Sequence, residues 1–222
     1  DRTFGKHNIN FTGLYSAQKI TYEGHETVGK GFSSDVLTYF QMNLATLPKE
    51  VSQSFDQETL ISQMGRLNYN FDDKYLATFT LRRDGYTGFG DNNKYGVFPS
   101  AGFSWNVSNE SFFPENPFVN NLRLRLTYGE SGNQDISSVA NLARLDDLSY
   151  LDGDITAPGY IPLVLGNNNL TWETTATYNL GIDMGLLNNR FQISLDAYKS
   201  ESSDLLLNKL IPSVQGLSLI HI

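Results

Sequence analysis

An alternation of apolar and polar residues with a period of two constrains this chain more than any other feature. Between Tyr75 and Arg82 every second residue is apolar or small, and the pattern returns from Pro99 to Val107. Successive side chains of a β-strand point to opposite faces, so both segments are predicted to be strands. The stretch between them is rich in glycine, asparagine and aromatic residues, which predicts an exposed loop.

The same alternation predicts five more strands and the start of an eighth, so the fold class is all-β and antiparallel. The five run over about His7–Ser16, Leu60–Phe71, Leu122–Gly129, Trp172–Met184 and Phe191–Tyr198, and the eighth begins at DLLLNKLI. The longer connections, residues 17–59 and 130–171, are predicted to be loops. A short helix is expected in the first, because Ser34 can cap an apolar run that includes Val36 and Phe40.

The two faces of these strands differ in charge. The apolar positions carry no charged residue, whereas seven charges share the opposite parity: Arg66, Arg82, Arg123, Arg125, Glu173, Asp183 and Asp196. A lysine or arginine facing the middle of a bilayer costs roughly 2–4 kcal/mol, so a lipid-facing surface would exclude charge. The core of a soluble β-sandwich would exclude it too, and charge alone does not separate the two.

Loop lengths and aromatic positions favour a transmembrane β-barrel over a sandwich. Very short turns follow the second and sixth strands, and long connections follow the first, third and fifth, as in barrels with short periplasmic turns and long outer loops. Aromatic residues of the apolar parity gather at the strand ends, where interfacial girdles are expected. They are Tyr69, Phe71, Tyr75, Trp105 and Phe191 at the turn end, and Tyr15, Tyr128 and Trp172 at the loop end.

The size predicts a fragment. About eight strands are too few for a large plugged barrel, which has 22 strands, so the chain should form about a third of one wall. We expect residues 1–216 to be a partial barrel domain. The missing signal peptide is interpreted as an absent N-terminus. The final LSLIHI matches one reading frame of a sequencing adapter, so residues 217–222 are interpreted as a cloning or sequencing scar, with a genuine apolar tail as the alternative.

Composition and motifs exclude several functional classes. The net charge of −8 argues against a nucleic-acid partner, and the absence of cysteine excludes disulfides and thiolate zinc sites. GESG at 129–132 lacks the spacing of a nucleophile elbow, so no enzyme and no cofactor are predicted. Asp152 and Asp154 flank Gly153 as a weak candidate for calcium, with a solvated loop as the favoured interpretation.

Three stretches also resemble a known family. They are RRDGYTGFGDNNKYGVFPSAGFSWNVSNESFF, NLRLRLTYGESGNQDI and NNNLTWETTATYNLGIDMGLLNNRFQISLDAYKSESSDLLL. Their order and spacing resemble the later barrel strands of the SusC/RagA family of TonB-linked outer-membrane receptors, although Asn168 stands where that family often has proline. The resemblance implies an outer-membrane location, a TonB-energised plug, a SusD-like lipoprotein lid, and import of oligosaccharides or peptides.

Candidate site residues fall into two groups. Aromatic rings and amides of the outer loops could contact sugars, with packing between loops or against a lid as the alternative: Tyr86, Phe89, Asn92, Asn93, Tyr95, Tyr150 and Tyr160. The seven charges of the polar parity are expected to face the lumen or plug and to form ion pairs. A receptor for iron chelates with the same architecture and a soluble β-sandwich binding module are the competing functions.

Overall fold

The computed structural model describes residues 1–34, 36, 39–47, 50–114, 118–210 and 219–221. Within these residues β-strands dominate, which confirms the all-β prediction. The strands are β1 (Arg2–Phe4), β2 (His7–Val28), β3 (Glu50–Phe71), β4 (Tyr75–Tyr86), β5 (Tyr95–Asn106), β6 (Val119–Asn133), β7 (Arg144–Asp152), β8 (Ile155–Val164), β9 (Glu173–Leu186), β10 (Phe191–Ser203), β11 (Asn208–Leu210) and β12 (Leu219–His221).

Eight of these strands form one sheet in the order β1-β2-β3-β4-β5-β6-β9-β10. Neighbouring strands from β3 to β10 pair antiparallel, as predicted. In the described part of the chain the outer strands β1 and β10 do not pair with each other, so the sheet is an open section of a wall. A second sheet, in the order β11-β12-β8-β7, contains the β7–β8 hairpin.

Residues 18–59 form a compact unit separate from residues 1–17 and 60–222. The prediction of a loop over residues 17–59 is wrong for much of this unit, because β2 continues to Val28 and β3 already begins at Glu50. Side chains on both sides of these extensions are largely exposed, so no apolar alternation marks them as strands. The expected helix is a 3-10 helix at Tyr39–Leu44, and no helix of the described chain is long and apolar enough to cross a membrane.

The predicted loop over residues 130–171 is also partly wrong. β6 extends to Asn133, and β7 and β8 pair antiparallel as a hairpin whose turn contains Gly153 at φ +66°. Large apolar side chains of this hairpin, such as Leu151 and Ile155, are exposed. With neither face buried, the hairpin lacks the alternation that would have predicted it.

The tight turn between β3 and β4 confirms the predicted hairpin. Asp72 and Asp73 both adopt positive φ, and the side-chain amides of Asn106 and Asn109 donate to the Asp73 carbonyl at 2.6 and 2.8 Å. The Glu110 carboxylate lies beside the same turn. It accepts hydrogen bonds from the Tyr75 hydroxyl, the Trp105 indole and the Lys74 ammonium at 2.5, 3.1 and 3.0 Å.

Six buried side chains form an aromatic cluster, which consists of Tyr86, Phe89, Phe98, Ala140, Leu170 and Trp172. The Phe89 ring lies between those of Tyr86 and Trp172, with centroid distances of 5.4 and 5.1 Å. Trp172 is only 4% exposed, and its indole donates to the Lys94 carbonyl at 3.1 Å. Its predicted place in a lipid-facing girdle is therefore wrong, because Trp172 precedes β9 and turns inward to pack between loops.

Backbone contacts tie the loops of this cluster together. The Gly90 amide donates to the Leu170 carbonyl at 3.3 Å. A Cβ at Gly90 would overlap the Asn168 carbonyl oxygen, so the approach requires glycine. The loop after β4 and the segment before β9 therefore pack against each other directly.

Candidate functional site

One face of the eight-stranded sheet, termed the apolar face, presents large hydrophobic side chains without covering them. On β4 this face carries Phe79 and Leu81, and on β6 it carries Leu126; Phe79 is 52% exposed and Leu126 58%. A soluble β-sandwich would bury these side chains against a second layer. No layer covers them within the part of the chain that the structure describes, which fits contact with lipid instead.

The apolar face has the same extent on two strands that lie four steps apart in the sheet. On β4 it runs from Tyr75, next to a short turn, to the first charge at Arg83; on β10 it runs from Phe191 to Lys199. Both intervals are eight residues, which at about 3.3 Å per residue is about 26 Å of strand. The apolar band of outer-membrane barrels is about 25 Å tall.

Both limits of this apolar band are displaced along the strands by four residues between β4 and β10. At the turn end, the residues paired in register with Tyr75 are Trp105, Leu124, Ile182 and finally Leu195, whereas the band on β10 begins four residues earlier, at Phe191. At the loop end, the band on β10 ends at Lys199, which is connected in register through Tyr178, Tyr128 and Ala101 to Phe79, four residues before the limit on β4 at Arg83. Four residues correspond to about 13 Å along the strands, and four strand spacings correspond to about 19 Å across the sheet. The resulting strand tilt of about 35° lies within the range for membrane barrels.

The opposite face, termed the polar face, carries a charge network in its centre. Arg125 donates to Asp183 through Nε at 2.8 Å and Nη2 at 3.0 Å, and its Nη2 lies 3.2 Å from Asp196 Oδ1. In the register Arg125 is opposite Gly181, and Gly181 is opposite Asp196. The guanidinium therefore crosses β9 above Gly181, where a Cβ would lie 2.7 Å from Arg125 Cζ.

The other predicted polar-face charges have different partners. Arg66 donates to the Thr80 hydroxyl at 3.1 Å, and Arg123 donates to the side-chain Oδ1 of Asn106 at 2.6 Å. Arg82 Nε donates to both carboxylate oxygens of Asp84, at 2.9 and 2.7 Å, and Arg82 Nη2 donates to the Ser62 hydroxyl at 3.3 Å. Glu173 accepts from the Leu206 amide at 3.1 Å. Of the expected ion pairs, the structure contains those of Arg125 with Asp183 and Asp196.

A groove of about 330 Å³ lies on the polar face beside the aromatic cluster. Its lining combines the Arg82–Asp84 pair and Arg66 with apolar side chains. The remaining lining residues are Leu60, Met64, Thr80, Phe98, Ser100, Glu130, Ser131, Gly132, Gln134 and Trp172. Such a mixture of hydrophobic wall and hydrogen-bonding groups is typical of a ligand site. A second groove of about 560 Å³ shares Arg66, Thr80 and Ser100 with the first.

Phe98 is the groove residue that the sequence argument missed. It pairs with Arg82 in the register and therefore has polar-face parity. The sequence did contain an indication of this role, because an aromatic residue at a polar-face position breaks the alternation of β5. It packs against Trp172 with ring centroids 5.4 Å apart and forms the apolar wall of the groove.

The predicted outer-loop residues do not form one constellation. Tyr86 and Phe89 are buried, and the Phe89 side chain is 0% exposed, so in this chain they contact protein. Asn92 and Asn93 lie in the turn between β4 and β5, and Tyr150 and Tyr160 are exposed on the β7–β8 hairpin. Tyr95 belongs to the apolar face of β5, where Arg83 stacks on its ring. Contact of these residues with a substrate stays a prediction.

Two carboxylates outside the band have lowered pKa values. The Tyr75 hydroxyl and then the Lys74 ammonium hydrogen-bond Glu110 and hold its pKa below the usual range. Lys94 donates to Asp91 at 2.6 Å in the loop after β4 and lowers the pKa of Asp91. Both carboxylates lie in connections at the ends of strands.

The described residues contain no group of three or more metal-binding side chains. Asp154 lies in the turn of the β7–β8 hairpin with Gly153, and the Asp152 side chain lies outside the description. Calcium binding at this pair stays a prediction.

Comparisons with known proteins agree with this geometry. The sequence profile described as "TonB dependent receptor-like, beta-barrel" matches residues 1–218. TonB-dependent receptor P3 of Formosa agariphila is 34% identical over 98% of this chain and 22% of its own length. TonB-dependent receptor SusC of Bacteroides thetaiotaomicron is 36% identical over 70% of this chain and 16% of its own length. The chain thus spans about a fifth of these relatives.

Solved structures give the same result. The chain matches "Structure of the RagAB peptide transporter" with a TM-score of 0.80 and 28% identity, over 98% of this chain and 24% of that one. The match to the RagAB importer in its "closed-closed" state has a TM-score of 0.81 at 28% identity, over 100% of this chain and 24% of that one. The apolar face is therefore the lipid-facing surface, and the chain belongs to the SusC/RagA family of TonB-dependent receptors, as part of their outer-membrane β-barrel.

Proposed function

We propose that this chain is part of the wall of a TonB-energised importer that carries oligosaccharides or peptides across the outer membrane. The observation that supports it most is the groove of about 330 Å³ on the polar face, near the loop end of the sheet. In a barrel with its apolar face in lipid, this groove borders the lumen. A ligand that enters from the outer mouth would reach this groove before it reaches the rest of this part of the wall.

The lining of the groove fits both ligand classes. Phe98 and Trp172 give it an apolar wall, while Ser131, Gln134 and the Arg82–Asp84 pair offer donors and acceptors. Hydroxyl-rich sugars and peptide backbones both use such groups. One solved relative is described as a peptide transporter and importer, which supports the peptide alternative.

We also propose that a SusD-like lipoprotein covers the outer mouth and that TonB acts through a plug domain encoded elsewhere in the parent gene. The relatives named SusC and RagAB support this assembly. The exposed β7–β8 hairpin, with Tyr150 and Tyr160, would contribute contacts to the lid or to ligand. No catalytic step is part of the proposal.

Uptake by the full-length parent receptor tests this function. In a strain that depends on the receptor, labelled oligosaccharides or peptides should accumulate, and deletion of TonB should abolish their uptake. Arg82→Gln should reduce uptake, whereas Lys199→Gln, which changes a charge on the opposite face of the sheet, should have little effect. Growth on ferric chelates without uptake of either class would instead support the iron-receptor alternative.

A further inference from the structure

Arg83 is the first charged residue on the apolar face of β4. It follows Leu81 on the lipid-facing side of β4, at the loop end of the band. Its guanidinium carbon lies 3.9 Å from the centroid of the Tyr95 ring. Stacking occupies the flat side of the guanidinium and leaves its N–H edges available as donors.

The surroundings hold this stack in place. Tyr95 pairs with Gly85 in the register, and a Cβ at Gly85 would lie 2.5 Å from ring carbon Cε1 of Tyr95. The ring therefore lies across β4, where it supports Arg83. Gln63 is directly opposite Arg83 on β3 and is exposed on the same face. Its amide adds a second donor beside the guanidinium.

Neighbouring acids do not neutralise Arg83. The adjacent Asp84 points to the polar face, where it binds Arg82. Glu130, two residues after Tyr128 on β6, accepts a hydrogen bond from the Tyr128 hydroxyl. Within the described residues, no carboxylate lies within ion-pair distance of Arg83, in contrast to Lys199, which pairs with Glu201 at the corresponding limit of the band.

We propose that Arg83, Gln63 and Tyr95 bind the phosphate of an anionic lipid in the outer leaflet. A charge at the edge of the apolar band is at headgroup depth, and aromatic rings are favoured there. The guanidinium edge matches phosphate oxygens in a bidentate manner. Below the stack, the exposed side chains of Leu81 and Val97 offer apolar contacts for acyl chains, which a soluble anion would not use.

Lipid retention by the purified full-length receptor tests the site. Native mass spectrometry would compare wild type with Arg83→Gln after addition of diphosphorylated or dephosphorylated lipid A. Wild type should retain the phosphorylated form, and Arg83→Gln should reduce that retention about tenfold, since hydrogen bonds to charged groups are strong. Lys199→Gln and Arg66→Gln are controls, the first with a paired charge and the second on the polar face, and should retain the lipid.

Three outcomes would overturn the proposal: equal retention by Arg83→Gln, equal retention of dephosphorylated lipid A, or displacement of the lipid by millimolar inorganic phosphate. Arg83→Lys provides a second variant if Arg83→Gln misfolds. It keeps the charge but loses the bidentate edge, and it should give intermediate retention. The measurement does not involve transport, so its result is independent of the importer proposal.

Discussion

At the scale of single residues, the central charge network depends on a glycine, Gly181. Gly181 leaves the surface of β9 open, which allows Arg125 to reach acids on two strands at once. The ion pairs are partly exposed, with side-chain exposures from 28% to 39%. Arg125 therefore contributes mainly by joining β6, β9 and β10 on their polar face.

Replacement of Arg125 by glutamine should destabilise the full-length barrel by about 1 kcal/mol, the upper range for partly exposed ion pairs. Asp183 and Asp196 would then repel each other without a shared cation. Urea unfolding of the barrel in lipid vesicles measures the change. Arg66→Gln, which loses one hydrogen bond to Thr80, is the matched control, and an equal loss in both variants would contradict the role of the network.

Glu110 should make stability depend on pH at the turn end of the sheet. Its pKa is lowered in the folded protein by Tyr75 and Lys74, so its stabilising effect is complete above the unfolded value of about 4.3. The effect is lost as pH falls through the folded pKa. Unfolding midpoints of wild type and Glu110→Gln should differ at pH 7 and converge as the pH falls through the lowered pKa of Glu110. A difference that stays constant with pH would contradict this role.

At the scale of elements, strands are predictable from sequence only where one face is buried or in lipid. β4, β5, β6, β9 and β10 all show the alternation and were predicted, although their ends differ from the predicted ones by up to five residues. The β7–β8 hairpin and the far parts of β2 and β3 are exposed on both faces, so their extended conformation leaves no hydrophobic pattern.

The aromatic cluster was not predictable from strand patterns, because it joins residues far apart in sequence. Tyr86 and Phe89 follow β4, whereas Leu170 and Trp172 precede β9. The position of Phe98 on the polar face of β5 indicated an unusual environment for its ring. Which residues pack against the ring depends on how two loops fold together, and the strand pattern does not contain that information. The groove, which Phe98 and Trp172 line, was therefore also beyond the sequence argument.

Phe98→Ala should loosen this cluster by about 3–5 kcal/mol, the usual cost of removing a buried phenyl ring. In the full-length receptor, hydrogen exchange at the Gly90 amide, which donates to the Leu170 carbonyl beside the cluster, should become faster than in the parent. Phe79→Ala removes a phenyl ring on the lipid-facing side and should leave this exchange rate unchanged. Equal exchange rates in Phe98→Ala and the parent would contradict the assignment of the cluster.

At the scale of the whole molecule, the wall carries an apolar band that has the same width on β4 and β10 and is slanted between them. The equal offsets from β4 to β10 follow from the register and agree with the tilt of membrane barrels. The alternation in the sequence predicted which face would contact lipid. The slant of the band could not be predicted in this way, because it depends on the register between neighbouring strands. That register is determined by turn and loop geometry together with the hydrophobic pattern.

A pair of neighbouring substitutions tests which face meets lipid. Leu126→Arg on the apolar face should cost about 2–4 kcal/mol near the middle of the bilayer. Thr127→Arg, one residue later on the polar face, should change stability little. Folding of the full-length receptor into vesicles, followed by urea titration, measures both. Equal costs for the two variants would contradict the assignment of the faces.

The burial of Phe89 and Trp172 has a consequence for the mobility of the two loops that carry them. Loops that share a close-packed hydrophobic cluster move together, because separating them would expose the packed side chains to water. The loop after β4 and the segment before β9 should therefore move as one rigid unit with the ends of these strands.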